Sequence, residues 1–146
     1  MSEAQETATA TADRILDRAR VFAMVGASPS PWRPSHGVLR TLLDHGYEVI
    51  PIRPGVEELL GLRAYPDLAA VPEDVTIDVV DIFRRADRAG AHVDEAIERG
   101  VGAVWLQLGV IDHAAAARAR AAGLDVVMDR CPAIELRRRG GVGRRG

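Results

Sequence analysis

The amino-acid sequence predicts an α/β protein: a three-layer sandwich built on a doubly wound parallel sheet. Three observations carry that expectation. Five short segments are near-continuously apolar and most are rich in β-branched residues, which is how a strand covered on both faces reads. Their starts are offset by 26, 29, 25 and 23 residues, which leaves room for one helix per gap. Helical patterning with polar starts and glycine stops fills three of the four gaps. Strands alternating with helices in this way build a parallel sheet with right-handed crossovers.

Taken in order, an opening helix over about 11–19 carries Ile15, Leu16 and Ala19. The first strand is 21–26 (VFAMVG). Ser35 is a favourable N-cap; Val38, Leu39, Leu42 and Leu43 follow at helical spacing, and Gly46 stands where a C′ glycine belongs. The second strand is 47–52 (YEVIPI). Residues 54–74 are rich in Pro and Gly, so short helical turns and a small extra strand at 62–65 are expected there. The third strand is 76–83 (TIDVVDIF). A helix from Asp87 to Arg99 follows, with Val93, Ala96 and Ile97 on one side and Gly100 at its end. The fourth strand is 101–108 (VGAVWLQL), Asp112 caps an alanine-rich helix that stops at Gly123, and the fifth strand is 124–129 (LDVVMD). A last helix opens at Cys131-Pro132. The domain is expected to span 12–139. The Arg/Gly tail 140–146 has no apolar anchor and is expected to be disordered.

The composition narrows the chemistry. A chain of 146 residues fits one domain, and it is long enough to bury a core without a disulfide or metal staple. Its one cysteine, Cys131, excludes an internal disulfide framework and any CxxC zinc or redox pair. All 19 basic residues are arginine, which excludes lysine Schiff-base chemistry and the Walker lysine. Residues 1–130 carry a net charge of −6 and residues 131–146 one of +4, so the body does not read as a phosphate-backbone binder. No apolar run approaches the ~18 residues of a membrane span, and the N-terminus has neither the charge nor the apolar run of a targeting segment. A soluble cytoplasmic protein is expected. No histidine or acid pair has metal-ligand spacing, and no serine has a recognisable base, so neither a metal nor a catalytic set is expected.

In such Rossmann-like sheets ligands bind beyond the carboxyl ends of the strands, at the switch point. The strand exits are therefore the places to look. The first, Gly26-Ala27-Ser28-Pro29-Ser30-Pro31-Trp32-Arg33-Pro34-Ser35-His36, turns on a glycine and opens a helix, a natural anion site. It is not GxGxxG, since Ser28 stands in place of the second glycine. Ser28 and Ser35 offer hydroxyls and Arg33 a phosphate fork; the bland alternative is a proline-rich helix cap. At the second exit, Pro51-Ile52-Arg53-Pro54-Gly55, an arginine replaces the acid that NAD-binding domains place there. That points to a phosphorylated ribose, or else to a surface arginine beside a turn. At the third, Phe83 suits adenine or pantetheine and Arg84 and Arg85 suit phosphate; core and solvent are the alternatives. At the fourth, Trp105 reads as core and Gln107 as the polar contact. At the fifth, Cys131 stands either as a thiol activated at a helix start, with Arg130 as neighbour, or as an inert buried residue.

Five pieces in order, VGASPSPWRPSHGV (25–38), GYEVIPIRP (46–54), DVVDIFRR (78–85), VWLQLG (104–109) and VMDRCPAIE (127–135), resemble the small single-domain CoA-binding proteins of bacteria and archaea. Their fold is similar to the CoA-binding N-terminal domain of the succinyl-CoA synthetase α subunit. The resemblance runs from about residue 12 to residue 138. It implies that Gly26, Ala27, Ser28 and Arg33, Pro34, Ser35 and His36 cradle the phosphates of coenzyme A. It implies that the Pro51, Arg53 and Pro54 turn holds the nucleotide end. Phe83 and Arg84 would then lie along the ligand, with Gln107 and Gly109 nearer the pantetheine arm. The family often has Asn-Pro-Lys where this chain has Arg53-Pro54-Gly55, so Arg53 is expected to supply the missing charge.

The expected function is non-catalytic binding of coenzyme A or an acyl-CoA, with no membrane or nucleic-acid partner. A redox-sensitive mixed disulfide with the ligand is expected at Cys131. The alternative, an NADP-binding oxidoreductase fragment, would also suit Arg53 but lacks GxGxxG and a substrate domain. A nucleic-acid module driven by the arginine tail is opposed by the acidic body.

Overall fold

The computed structural model describes residues 2–144. Helix α1 (Glu3–Arg18) starts well before residue 11, where the apolar stripe begins. Ser2 and Gln5 close a capping box: the Ser2 hydroxyl accepts from the Gln5 amide at 3.1 Å, and the Gln5 side chain accepts from the Ser2 amide at 3.0 Å. Strand β1 (Val21–Val25) leads into α2 (Pro34–Asp44). The expected cap at Ser35 is displaced: Arg33 occupies the cap position without a side-chain bond, and Pro34 takes the first helical position. Proline suits that position because its φ is already helical and the amide it lacks would be unpaired anyway. Ser35 lies inside the first turn and is buried.

Strand β2 (Glu48–Ile52) follows, and the Pro/Gly-rich stretch after it forms a small antiparallel pair, β3 (Glu58–Leu59) with β4 (Leu62–Arg63). A single 3-10 turn, Leu68–Ala70, is capped by Asp67. Strand β5 (Val79–Ile82) precedes α3 (Ala86–Arg99), which ends on the left-handed Gly100. Strand β6 (Ala103–Leu106) precedes α4 (His113–Ala121), where the Asp112 side chain accepts from the Ala115 amide as a cap. Strand β7 (Asp125–Val127) and α5 (Pro132–Arg138) complete the chain order.

The five long-range strands form one parallel sheet in the order β2-β1-β5-β6-β7. Each lies within the segment expected for it and is shorter. One apolar cluster, with Phe22, Met24 and Trp105 from the sheet, packs against Leu16 of α1, Leu39 of α2 and Leu136 of α5. The other, with Val80, Ile82 and Val104, packs against Val93 of α3 and Ala116 of α4. The result is the three-layer, doubly wound α/β architecture that the sequence predicts. Connections leave β1 in opposite directions, to β2 and to β5, so the switch point lies between β1 and β5.

Hydrogen bonds continue past Gly140, where the tail expected to be free begins. The Gly141 amide donates to the Leu136 carbonyl at 2.8 Å, and the nearly buried Arg139 guanidinium donates to the Val142 and Gly143 carbonyls and to Asp17. The anchor is a cation rather than an apolar side chain. Arg145 and Gly146 lie outside the described residues.

Candidate functional site

The exits of β1 and β5 meet at the switch point. Gly26 has φ +83°, and a Cβ built on it would lie 2.2 Å from the Phe83 carbonyl oxygen. Only glycine fits, because both its conformation and its space exclude a side chain. Beyond Gly26, the Ser28 hydroxyl accepts from the Ser30 amide at 3.1 Å, and the Arg33 amide donates to the Ser30 carbonyl at 3.1 Å. These turns and three prolines hold the loop in place up to α2.

That loop borders a cavity of about 860 Å³ at the carboxyl edge of the sheet. The loop contributes Gly26, Ser28, Ser30, Arg33, Pro34 and Ser35, and the exit of β2 contributes Arg53. The β5 exit contributes Phe83, Arg84, Arg85 and Arg88. From β6 and the last turn come Gln107, Leu108, Val110 and Cys131. A smaller cavity of about 360 Å³ adjoins it, sharing Gly26, Arg53 and Arg84 and adding Pro54, Asp67 and His92.

Ten of the fifteen sequence-expected site residues therefore converge on one cavity, and Pro54 lines its neighbour. The other four do not line either. Ala27 is fully buried and its carbonyl accepts from Arg53 Nη1 at 3.1 Å. His36 is buried in α2. Pro51 sits in the strand opposite Met24, and the Gly109 amide donates to Asp129 Oδ1 at 2.7 Å. Sequence reasoning did not single out Ser30, Val38, Arg88, Leu108 or Val110. Arg88 was legible in principle, since it stands in the first turn of α3, just past the Phe83–Arg85 strand exit.

The electrostatics are lopsided. Five arginines line the larger cavity. Arg53 is tied to the loop through Ala27, and Arg85 pairs with Asp87 on the surface at 3.3 Å. The guanidinium groups of Arg33, Arg84 and Arg88 have no bonding partner among the described residues, which leaves three positive forks for an anion.

The sulfur end differs from the sequence expectation. Cys131 caps α5 ahead of Pro132, yet its thiol pKa is raised, not lowered. Burial is the main cause; the amides of Ile134 and Ala133 and the Arg137 charge pull the other way, while the Asp81 carboxylate adds to the rise. Desolvating a thiolate outweighs a short helix's amides. Arg130 does not help, because its side chain turns away to Thr9, the Gln5 carbonyl and Glu135. Trp105 is core, with its indole N–H donating to the Arg130 carbonyl at 2.9 Å. Among the described residues no cluster of His, Cys, Asp or Glu is placed to hold a metal ion, and no helix is long and apolar enough to cross a membrane.

A doubly wound sheet with an arginine-lined cavity at its switch point defines a Rossmann-like α/β protein with an anion-suited site. Residues 20–137 match the CoA binding domain model, and the chain belongs to that family. It is 35% identical over 127 residues to YneT of Bacillus subtilis, a protein itself uncharacterised, covering 87% of this chain and 93% of that one. A hypothetical protein of Pyrococcus horikoshii superposes with a TM-score of 0.83 at 38% identity, over 89% of this chain and 90% of that chain. A dinucleotide-forming acetyl-coenzyme A synthetase of Ca. Korarchaeum cryptofilum superposes with a TM-score of 0.66 at 28% identity. The match covers 78% of this chain and 26% of that enzyme.

Proposed function

We propose that the protein binds coenzyme A or an acyl-CoA in the cytoplasm, without chemistry of its own on the ligand's carbon skeleton. The observation that carries this reading is the single cavity in which the Gly26 loop, the arginines and the sulfur-bearing β7–α5 turn face one another. Its volume falls in the range of roughly 300–1,000 Å³ typical of small-molecule sites. In this reading the ligand phosphates lie against the Gly26–Ser35 loop and Arg33, Arg53 and Arg84. The pantetheine arm passes Phe83 toward Gln107 and Cys131. The cavity residues fit such a ligand: guanidinium groups with no partner among the described residues (Arg33, Arg84 and Arg88) suit phosphates, and apolar Phe83, Leu108 and Val110 suit a flexible arm. Family membership supports the ligand class. The missing GxGxxG weighs against NADP.

Thermal melting tests the ligand class. Coenzyme A is expected to raise the melting temperature more than NADP at equal concentration, since a ligand that binds only the folded state stabilises it by mass action. Stabilisation by NADP and not by coenzyme A overturns the reading. Dephospho-CoA tests Arg53, because weaker binding than coenzyme A is expected if that arginine holds the 3′-phosphate.

The finer reading is a mixed disulfide at Cys131. Its support is position: the thiol lines the cavity. The Cys131 thiolate attacks one sulfur of CoA disulfide, a bond forms between the two, and the second CoA leaves as thiolate and takes up the proton that Cys131 lost. Mass spectrometry after exposure to CoA disulfide is expected to show one reducible CoA adduct on the wild type and none on Cys131→Ser. Reduced coenzyme A is expected to bind both.

A further inference from the structure

Asp81 stands in the middle of β5, in the centre of the sheet, opposite Met24 on one side and Trp105 on the other. It is completely buried. Alternation along the strand places it on the face that carries Phe83, and its two cross-strand neighbours belong to the apolar cluster that contains Cys131. Oδ1 accepts from Gln107 Nε2 at 3.2 Å, while Oδ2 has no hydrogen-bond partner among the described residues. Gln107 and Cys131 both line the cavity, so a carboxyl group with an unsatisfied oxygen lies just behind its sulfur-facing wall. Burying a carboxylate in an apolar sheet with one donor is costly.

We infer that Asp81 is a proton-controlled brake on the Cys131 thiol: as a neutral acid it leaves the thiol free to ionise, and as a carboxylate it suppresses the thiolate. This rests on the reading of Cys131 as the cavity thiol, but not on the ligand being coenzyme A. A carboxylate at Asp81 opposes a thiolate at Cys131 across the cluster that holds Met24, Trp105 and Cys131, so the pair titrates in coupled steps. Burial keeps the Asp81 carboxyl protonated up to about pH 8, with the Gln107 bond opposing. Below that point the brake is off and few thiolates form; above it the carboxylate forms first and holds Cys131 as a thiol. Exchange with a disulfide is thereby restrained in the alkaline range, where a thiol of this kind would otherwise react fastest.

Other charged groups surround the pair. Arg137 acts on the thiol directly. Glu135 is held by Arg130 and Arg138, both at 3.1 Å. The helices packed on α5 bring Asp13 and Asp17 of α1, paired with Arg138 and Arg139, and His36 and Arg40 of α2. Arg33, Arg53, Arg84, Arg85 and Arg88 line the cavity itself. All are shared by the wild type and an Asp81→Asn variant, so a comparison of the two isolates Asp81.

The test is the alkylation rate of Cys131 by iodoacetamide. Cys131 is the only cysteine, so every adduct reports it. With Asp81→Asn the rate is expected to lie within about twofold of the wild type near pH 6.5 and to be about tenfold faster near pH 9.5, since only at the higher pH does the wild type carry the carboxylate that opposes the thiolate. The unmutated protein supplies a second readout: its log rate against pH is expected to rise with a slope below one around pH 8. CoA disulfide is expected to follow the same pattern. A constant ratio across this range, or a variant slower than wild type at high pH, overturns the brake, as does a wild-type profile with one simple titration. Melting shifts with reduced coenzyme A are measured alongside. If alkylation behaves as expected and coenzyme A does not bind, the ligand reading fails and the brake stands; if coenzyme A binds and the rates do not diverge, the reverse holds.

Discussion

Gly26 shows how one residue serves both the fold and the site. It lets the β1 exit pass against the Phe83 carbonyl, and the same close approach brings the loop to the cavity. A Gly26→Ala variant must accommodate a Cβ at 2.2 Å from a backbone oxygen and a left-handed φ. The conformational strain alone costs about 1–3 kcal/mol. The variant is therefore expected to melt measurably lower even without ligand, as well as to lose ligand stabilisation. From the sequence, Gly26 reads as a phosphate-loop glycine; its tight fit against β5 is a tertiary fact.

Asp81 makes a second prediction at this scale. Its ordinary pKa is 3.8, and burial raises it to about 8 in the folded protein. Between these values the folded state holds a proton that the unfolded chain has lost. Stability from this group is therefore full below about pH 4, declines as pH rises to about 8 and then levels off. Asp81→Asn removes that slope, so urea unfolding at pH 9 is expected to find the variant more stable than wild type. A variant equally destabilised at every pH means that the carboxyl is needed for packing rather than penalised by its charge.

Among the elements, α4 was the easiest to read: Asp112 caps it through the Ala115 amide at 3.0 Å, as the sequence indicates. Asp112→Ala is expected to cost about 1 kcal/mol in chemical denaturation. Helix α1 extends well N-terminal of its apolar stripe. Its first turns lack apolar periodicity and are held instead by the Ser2–Gln5 box and by Arg130, a residue 125 positions away from Gln5. The box is visible as Ser-x-x-Gln; the long-range clamp is not. The start of α2 differs from expectation for a similar reason: Ser35 is a good cap by type, while Pro34 settles the start by geometry. At the C-terminal end, Arg139 joins Asp17 and the Asp13, Val142 and Gly143 carbonyls. Arg139→Ala is expected to lower stability by roughly 1–3 kcal/mol and to free residues 140–143, read as a loss of amide protection there.

For the molecule as a whole, the uneven charge matters more than the net charge. A chain that is slightly acidic overall gathers five arginines around one cavity. Binding of a phosphorylated ligand is accordingly expected to weaken as salt is raised, and more for coenzyme A than for its dephospho form. Equal salt slopes for the two would mean that the 3′-phosphate meets no arginine.

The sequence by itself determined the architecture and the edge of the sheet that carries the candidate site. Strand identity, helix spacing and glycine stops are local, periodic signals, and a parallel sheet has its loops at a known edge. It also supplied most of the cavity wall, because exit residues sit next to strands in the chain. Tertiary structure decided what the chain cannot show locally. It brought Arg88 to the cavity, kept Ala27, His36, Pro51 and Gly109 off its wall, turned Arg130 toward α1, and set Asp81 behind Cys131. Burial of the thiol itself, with a smaller contribution from that last placement, reversed the expected direction of its pKa. Burial and charge coupling depend on neighbours from other strands, so desolvation, unlike helix-forming periodicity, leaves no mark in the order of residues.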